Sequence, residues 1–230
     1  MREEAETKIA LHDWNVAPTK AVEIQRRLAA SVVETPLRAA VHRIAGVDCA
    51  FSRDGRHCLA AAVVWDLRSR SVVEEVTARR PARFPYVPGL LSFREAPAVL
   101  AALGKLSATP DVIVCDGQGR AHPRRLGLAC HVGLWLDLPA LGCAKSRLVG
   151  EHRQPGSRRG CRTRLVDRDE TIGAVLRTRD GVRPVYVSVG HRLTLDDAVR
   201  IALRCGAGYR LPEPTRLADR LVAEYKRRSG

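Results

Sequence analysis

An α/β fold in three layers, with a mixed β-sheet between helices, follows from two patterns along the chain. Three strand-like runs come in quick succession, Ile44 to Phe51, Leu59 to Asp66 and Val72 to Ala78. After them, helical and strand-like periodicities alternate to the end. The 230 residues, 45% of them hydrophobic, suffice for one domain with a full core.

Each element has its own signal. Residues 1–17 are a polar N-terminal extension, and 18–40 form one amphipathic helix with Ala21, Ile24, Leu28 and Val32 at helical spacing. The first two strands are separated by SRDGRH, whose Asp-Gly marks a hairpin, so the three strands make an antiparallel meander. FPYVPG (84–89) carries two prolines and a glycine and is a rigid loop. Ser92 with Glu95 three residues on is a capping-box pattern that opens a helix to about Lys105. DVIVC (111–115) is a short apolar run that ends at Asp116 and a GQG turn, as a buried parallel strand would. A helix over 122–135 and a strand over 140–144 follow. Residues 150–170, polar and rich in Gly and Arg, are a surface excursion. Strands at 172–177 and 185–189, a helix at 195–205 started by Thr194, and a last helix at 215–227 complete the order.

Lys and Arg number 39 against 25 Asp and Glu, a net charge of +14. That surplus favours a polyanionic partner, because cationic side chains release counterions when they neutralise phosphates. Seven cysteines are scattered with no CxxC pair, which fits neither a disulfide scaffold nor a zinc ribbon and points to a reducing cytoplasm. MREEAETKIALHDW has no apolar core and is not a signal peptide. No run approaches the roughly 18 apolar residues of a membrane span. The expectation is a soluble, cytoplasmic monomer.

Two aspartates stand out. Asp48 sits in AGVDCAF, an otherwise apolar strand, where a charge is costly unless paired or metal-bound. Asp116 ends DVIVC, and the carboxyl ends of strands in open α/β sheets are where sites collect. On neighbouring strands the two can converge on a hard cation such as Mg²⁺. Backbone donors or an arginine would satisfy each of them as readily. Glu95 serves equally as the third residue of the capping box, and His122 and Lys145 lie in turns after apolar runs. Arg124–Arg125, Arg158–Arg159 and the KRR at 226–228 can contact phosphate or simply be solvated. The residues by themselves reach a basic α/β domain with a divalent-metal site.

The strings AGVDCAF, FPYVPGLLSFRE, VIVCDGQGRAHPRRLGLACHVG, LPALGCAKSRLVG, VLRTRDGVRPVYVSVGHR and GYRLPEPTRLADRL, in that order over about 43–222, resemble the endonuclease V family. The resemblance implies a ribonuclease-H-like fold and an endonuclease that nicks a strand at deaminated purines, chiefly hypoxanthine. The implied cut is at the second phosphodiester bond on the lesion's 3′ side, leaving a 3′-hydroxyl and a 5′-phosphate. It implies Mg²⁺, with Mn²⁺ able to substitute, held by Asp48, Glu95, Asp116 and a variable position that falls on Asp219. Lys145 resembles the family's active-site lysine and His122 its catalytic-region histidine. Pro85, Tyr86, Val87 and Pro88 match its wedge, Leu91 is a pocket residue, and Gly117 and Gly119 would let the base approach closely. Cys49 and Cys130 are small buried apolar residues. The competing readings are an inosine-specific endoribonuclease, a non-cutting nucleic-acid binder on the same fold, and a different ribonuclease-H-like enzyme such as a junction resolvase.

Overall fold

The computed structural model describes residues 10–229. One eight-stranded mixed sheet forms its centre. In chain order the strands are β1 (Arg43–Phe51), β2 (His57–Asp66), β3 (Ser71–Pro81), β4 (Val112–Cys115), β5 (Ala140–Ala144), β6 (Arg162–Asp167), β7 (Glu170–Leu176) and β8 (Val185–His191). Their spatial order is β3-β2-β1-β4-β5-β8-β7-β6. β1, β4 and β5 are parallel neighbours, and every other pairing is antiparallel. The expected meander is therefore present, with a parallel centre beside it.

The helices are α1 (Pro18–Ala29), α2 (Leu91–Leu103), α3 (Leu128–Leu136), α4 (Leu195–Arg204) and α5 (Glu213–Arg228). Alternate strand residues face opposite sides, and the core divides accordingly. Ala45, Val47, Ile113 and Cys115 pack with α2 and α3, whereas Ile44, Val112, Val114 and Leu141 pack with α4. α5 covers Leu59, Ala61 and Val63 of β2 through Leu217, Ala218 and Val222. This is the three-layer α/β arrangement that the periodicities predict.

Five local expectations need correction. The first helix stops at Ala29 rather than near 40. The β-branched Val32 and Val33 and the Thr35-Pro36 pair disfavour helix, and the extended chain is fastened elsewhere, with the Arg192 amide donating to Val33 O at 2.7 Å and the Leu37 amide to Asp197 at 3.1 Å. The helix expected from 122 starts at Leu128, because Pro123 and the left-handed Arg125 (φ 58°) shape a turn first. No capping box forms at Ser92: α2 begins at Leu91, and Ser92 Oγ pairs instead with His131 Nδ1 at 3.0 Å. The capping box of this chain is at Thr194 and Asp197, at the start of α4.

The excursion at 150–170 contributes β6, an edge strand of the sheet, and a bridge between Glu151 and Val166. The N-terminal extension is polar only in part. Residues 1–9 lie outside the described residues, but Leu11, Trp14 and Val16 pack on the α1–α3 core beside Phe93. Among the described residues, no helix is long and apolar enough to cross a membrane, and all seven cysteines are free, with Cys130 buried and Cys49 half-buried.

Candidate active site

The site forms where β1, β4 and β5 end side by side. The Asp116 amide donates to Val47 O at 3.1 Å, which sets Asp116 against Asp48 across the parallel pair. Asp48 shares its face of β1 with Gly46, and α5 crosses there at the closest possible range. A Cβ on Gly46 would stand 2.1 Å from the Pro214 carbonyl carbon. That approach carries Asp219, one turn further along α5, into hydrogen-bond contact with Asp48. Glu95 enters from the other face, on the first turns of α2, freed because Ser92 bonds to His131 instead of capping the helix.

The electrostatics report four carboxylates crowded together. Burial, the charge on Asp116 and the Asp219 contact push Asp48 up to about 8, with the Cys49 amide working the other way. Burial and Asp116 push Glu95 up to about 7, against the opposing charge of Arg94. The Lys145 ammonium, at the end of β5, sits 2.7 Å from Asp116 Oδ2. Burial works against the charge on Lys145, but Asp116 overrides it and raises its pKa. Among the described residues, no three such side chains are gathered at ligand distance around one point. The donor set nonetheless suits a hard divalent cation: it is all oxygen, and it is anionic beyond what Lys145 neutralises. The raised pKa values are what carboxylates show when the positive charge that would balance them is a proton.

Beside the carboxylates lies a cavity of about 180 Å³, and Glu95 and Asp116 are part of its wall. Tyr86, Val87, Pro88, Leu91, Gly117 and His122 line it. Pro85 is exposed at the start of the same loop. Tyr86 is 71% exposed and stands free at the mouth. Gly119 is the exception. The space a side chain would need there is filled by the backbone of Val189, 2.1 Å from a built Cβ, so this glycine serves packing against β8 and is absent from the cavity wall.

His122 is nearly buried, and both ring nitrogens are used: Nε2 donates to Gly89 O at 3.0 Å and Nδ1 accepts from the Arg124 amide at 3.2 Å. Burial and the neighbouring Arg124 lower its pKa to about 4, so the ring is neutral and serves as a clasp on the loop at 84–89. Gly89 O also accepts from Arg124 at 2.6 Å and from Gln25 at 3.0 Å. Sequence reasoning missed Gln25. Its signal was a polar side chain on the apolar face of α1, where it is 1% exposed. It also missed Leu148, exposed at the cavity mouth, and Gln118. Gln118 Nε2 donates to Ser146 O at 2.9 Å, which orients the amide and leaves Oε1 buried and, among the described residues, without a partner.

Residues 26–220 match the family model for endonuclease V. The chain belongs to the endonuclease V family. Among its relatives, the endonuclease V of Roseiflexus castenholzii is 51% identical over 93% of this chain and 95% of its own. That of Geotalea uraniireducens is 53% identical over 89% and 86%. The crystal structure of the Streptomyces avermitilis endonuclease V superposes with a TM-score of 0.89 at 43% identity, covering 94% of this chain and 96% of the other. The fold is accordingly ribonuclease-H-like. Endonuclease V enzymes are nucleases that depend on a divalent metal, and this chain is one of them.

Proposed function

We propose that this endonuclease V nicks DNA at the second phosphodiester bond 3′ to a hypoxanthine. Asp48, Glu95, Asp116 and Asp219 hold Mg²⁺, for which Mn²⁺ can substitute. The observation that supports this most is the double membership of Glu95 and Asp116, which belong to the carboxylate group and also wall the cavity. A base seated in the cavity therefore delivers its own strand to the carboxylates. At about 180 Å³ the cavity is small for a drug-sized ligand and suits a single base.

The chain's residues divide the work. Tyr86, stiffened by Pro85 and Pro88, fills the gap left in the stack when the damaged nucleotide swings out, a step that costs a few kcal/mol and least at a mispaired base. His122, Arg124 and Gln25 hold that loop through Gly89 O, so the wedge does not fold back under load. Gln118 Oε1 is a buried acceptor awaiting a donor. Hypoxanthine offers an N1–H donor, whereas adenine has an acceptor at N1, so this amide favours the deaminated base. Lys145 balances phosphate charge beside Asp116. The chemistry a bound divalent ion supplies is polarisation of the phosphoryl group and activation of a water.

The test is a gel assay with Mg²⁺ on matched duplexes with and without one deoxyinosine, run beside Asp116→Ala. A single nick one nucleotide beyond the inosine, lost in the variant, is expected. Absence of a nick from folded wild-type protein in both Mg²⁺ and Mn²⁺, or an undiminished nick from the variant, would overturn the assignment.

A further inference from the structure

Beyond the carboxylates, two loops at the same end of the sheet carry arginines that the proposed reaction does not use. Val185 opens β8, whose Tyr186 pairs with Ala144 of β5, so the loop entering β8 stands next to Lys145. Arg210 fastens the two together. Its guanidinium donates to Lys145 O at 2.5 Å, Pro184 O at 2.8 Å and Arg183 O at 3.0 Å. The loop before β6 is knitted to the loop before β8 in turn. The Gly181 amide donates to Ser157 O at 2.9 Å, the Arg159 amide to Asp180 at 2.5 Å, and Arg177 to Gly156 O at 3.0 Å and Pro155 O at 3.1 Å. The result is one platform held by the half-buried Arg177 and Arg210.

Three more arginines remain on its surface. Arg158, Arg179 and Arg183 are exposed, and among the described residues none of their side chains has a hydrogen-bond or ion-pair partner. The platform's acid, Asp180, accepts from the Arg159 amide. Such a surface, three exposed arginines against one carboxylate, attracts anions, and its hydrogen-bonded backbone spares the ordering cost that a flexible loop would add on binding.

We propose that this platform grips the phosphate backbone of the duplex flanking the cut, resting on the reading that duplex DNA is the substrate. Strands in a sheet lie about 4.8 Å apart, and β8 and β6 are two and four strands from β4. The platform thus spans about 10 to 19 Å from Asp116, about three to six phosphates of one strand when counted at roughly 3.4 Å of helix axis each. Guanidinium groups suit this contact because their forked donors engage two phosphate oxygens at once.

Binding of an undamaged duplex of about 24 base pairs, followed by fluorescence anisotropy without metal between about 50 and 200 mM salt, tests the platform apart from lesion reading and cleavage. Replacing Arg158, Arg179 and Arg183 together by Ala should lower the log–log salt slope by roughly 2 to 3 and weaken binding about tenfold or more near 0.1 M salt. The triple Lys variant, which keeps the charges, should retain most of the slope. Arg183→Ala alone should lower the slope by roughly 1, whereas Arg68→Ala, in the turn after β2 at the opposite end of the sheet, should not. An unchanged slope in the triple Ala variant, or equal losses in Arg183→Ala and Arg68→Ala, would overturn the platform. Nicking of an inosine duplex by the wild type is scored separately, so failure of the cleavage assignment and failure of the platform give different results.

Discussion

Gly46→Ala is the smallest change that should separate the fold from the chemistry. The added methyl would lie 2.1 Å from the Pro214 carbonyl carbon, 2.4 Å from its oxygen and 2.5 Å from the Thr215 nitrogen. All three are backbone atoms in the first turn of α5, so no side chain can rotate away. Ordinary contact begins near 3.4 Å, which requires α5 or β1 to shift by the difference between 3.4 and 2.1 Å, 1.3 Å. Overpacking of this kind costs about 1 to 3 kcal/mol. For a chain of this size, that is a fall in Tm of about 2 to 12 °C. The larger effect falls on activity. α5 carries Asp219 onto Asp48, and a misplacement of about 1 Å in a reacting constellation costs about 100-fold. Thermal melting and single-turnover nicking of an inosine duplex at saturating metal would measure both. Asp219→Ala supplies the decisive comparison, since Gly46→Ala should cost much less activity once Asp219 is gone. Wild-type melting and turnover in Gly46→Ala would refute the claim that this glycine sets the distance between α5 and the site. Equal losses with and without Asp219 would show that the damage travels by another route.

Two further outcomes follow from the same geometry. In metal-free protein Asp48 and Glu95 titrate near 8 and 7, whereas in the unfolded chain they ionise near 4. The unfolded state therefore releases these protons first, and their contribution to stability falls as pH rises from about 4 to about 8. Mg²⁺ replaces those protons, so its stabilising shift in Tm should be larger at pH 8.5 than at 5.5, and Asp48→Asn should raise the metal-free Tm at the higher pH. A metal shift independent of pH would contradict the crowded-carboxylate picture. Gln118→Ala should leave the N1–H of hypoxanthine unmatched, a loss of about 1 to 3 kcal/mol, seen as roughly a 5- to 150-fold fall in kcat/KM for inosine over adenine duplexes. An unchanged ratio would remove Gln118 from base reading.

The strands other than β6, the parallel strand before Asp116 and the last two helices were legible along the chain because their apolar periodicities are local and strong. Asp48 and Asp116 were legible for a related reason: a charge in or at the end of an apolar strand conflicts with its surroundings, and such conflicts mark sites. Glu95 was ambiguous, because the same residue three positions after Ser92 fits a helix cap. Only the packing of His131 against Ser92 takes the cap away and leaves the carboxylate free. Residues 30–40 misled for the opposite reason. Their spacing is helical, but their backbone hydrogen bonds are made to distant partners such as Arg192 and Asp197, which no local pattern encodes.

What the sequence alone determined was the chemistry available: a basic α/β chain, the carboxylates proposed to hold its metal and, through its motif strings, its family. What only the tertiary structure decided was which side chains share a space. Asp219 meets Asp48 because Gly46 lets α5 come close. His122 is a neutral clasp because both of its nitrogens find backbone partners, and the arginines before β6 and β8 reach Lys145's neighbourhood because the sheet order folds distant segments into adjacent strands. Residue type and spacing are properties of the chain. Proximity between segments more than a hundred residues apart is a property of the packed sheet, where each close approach depends on what every other side chain leaves room for.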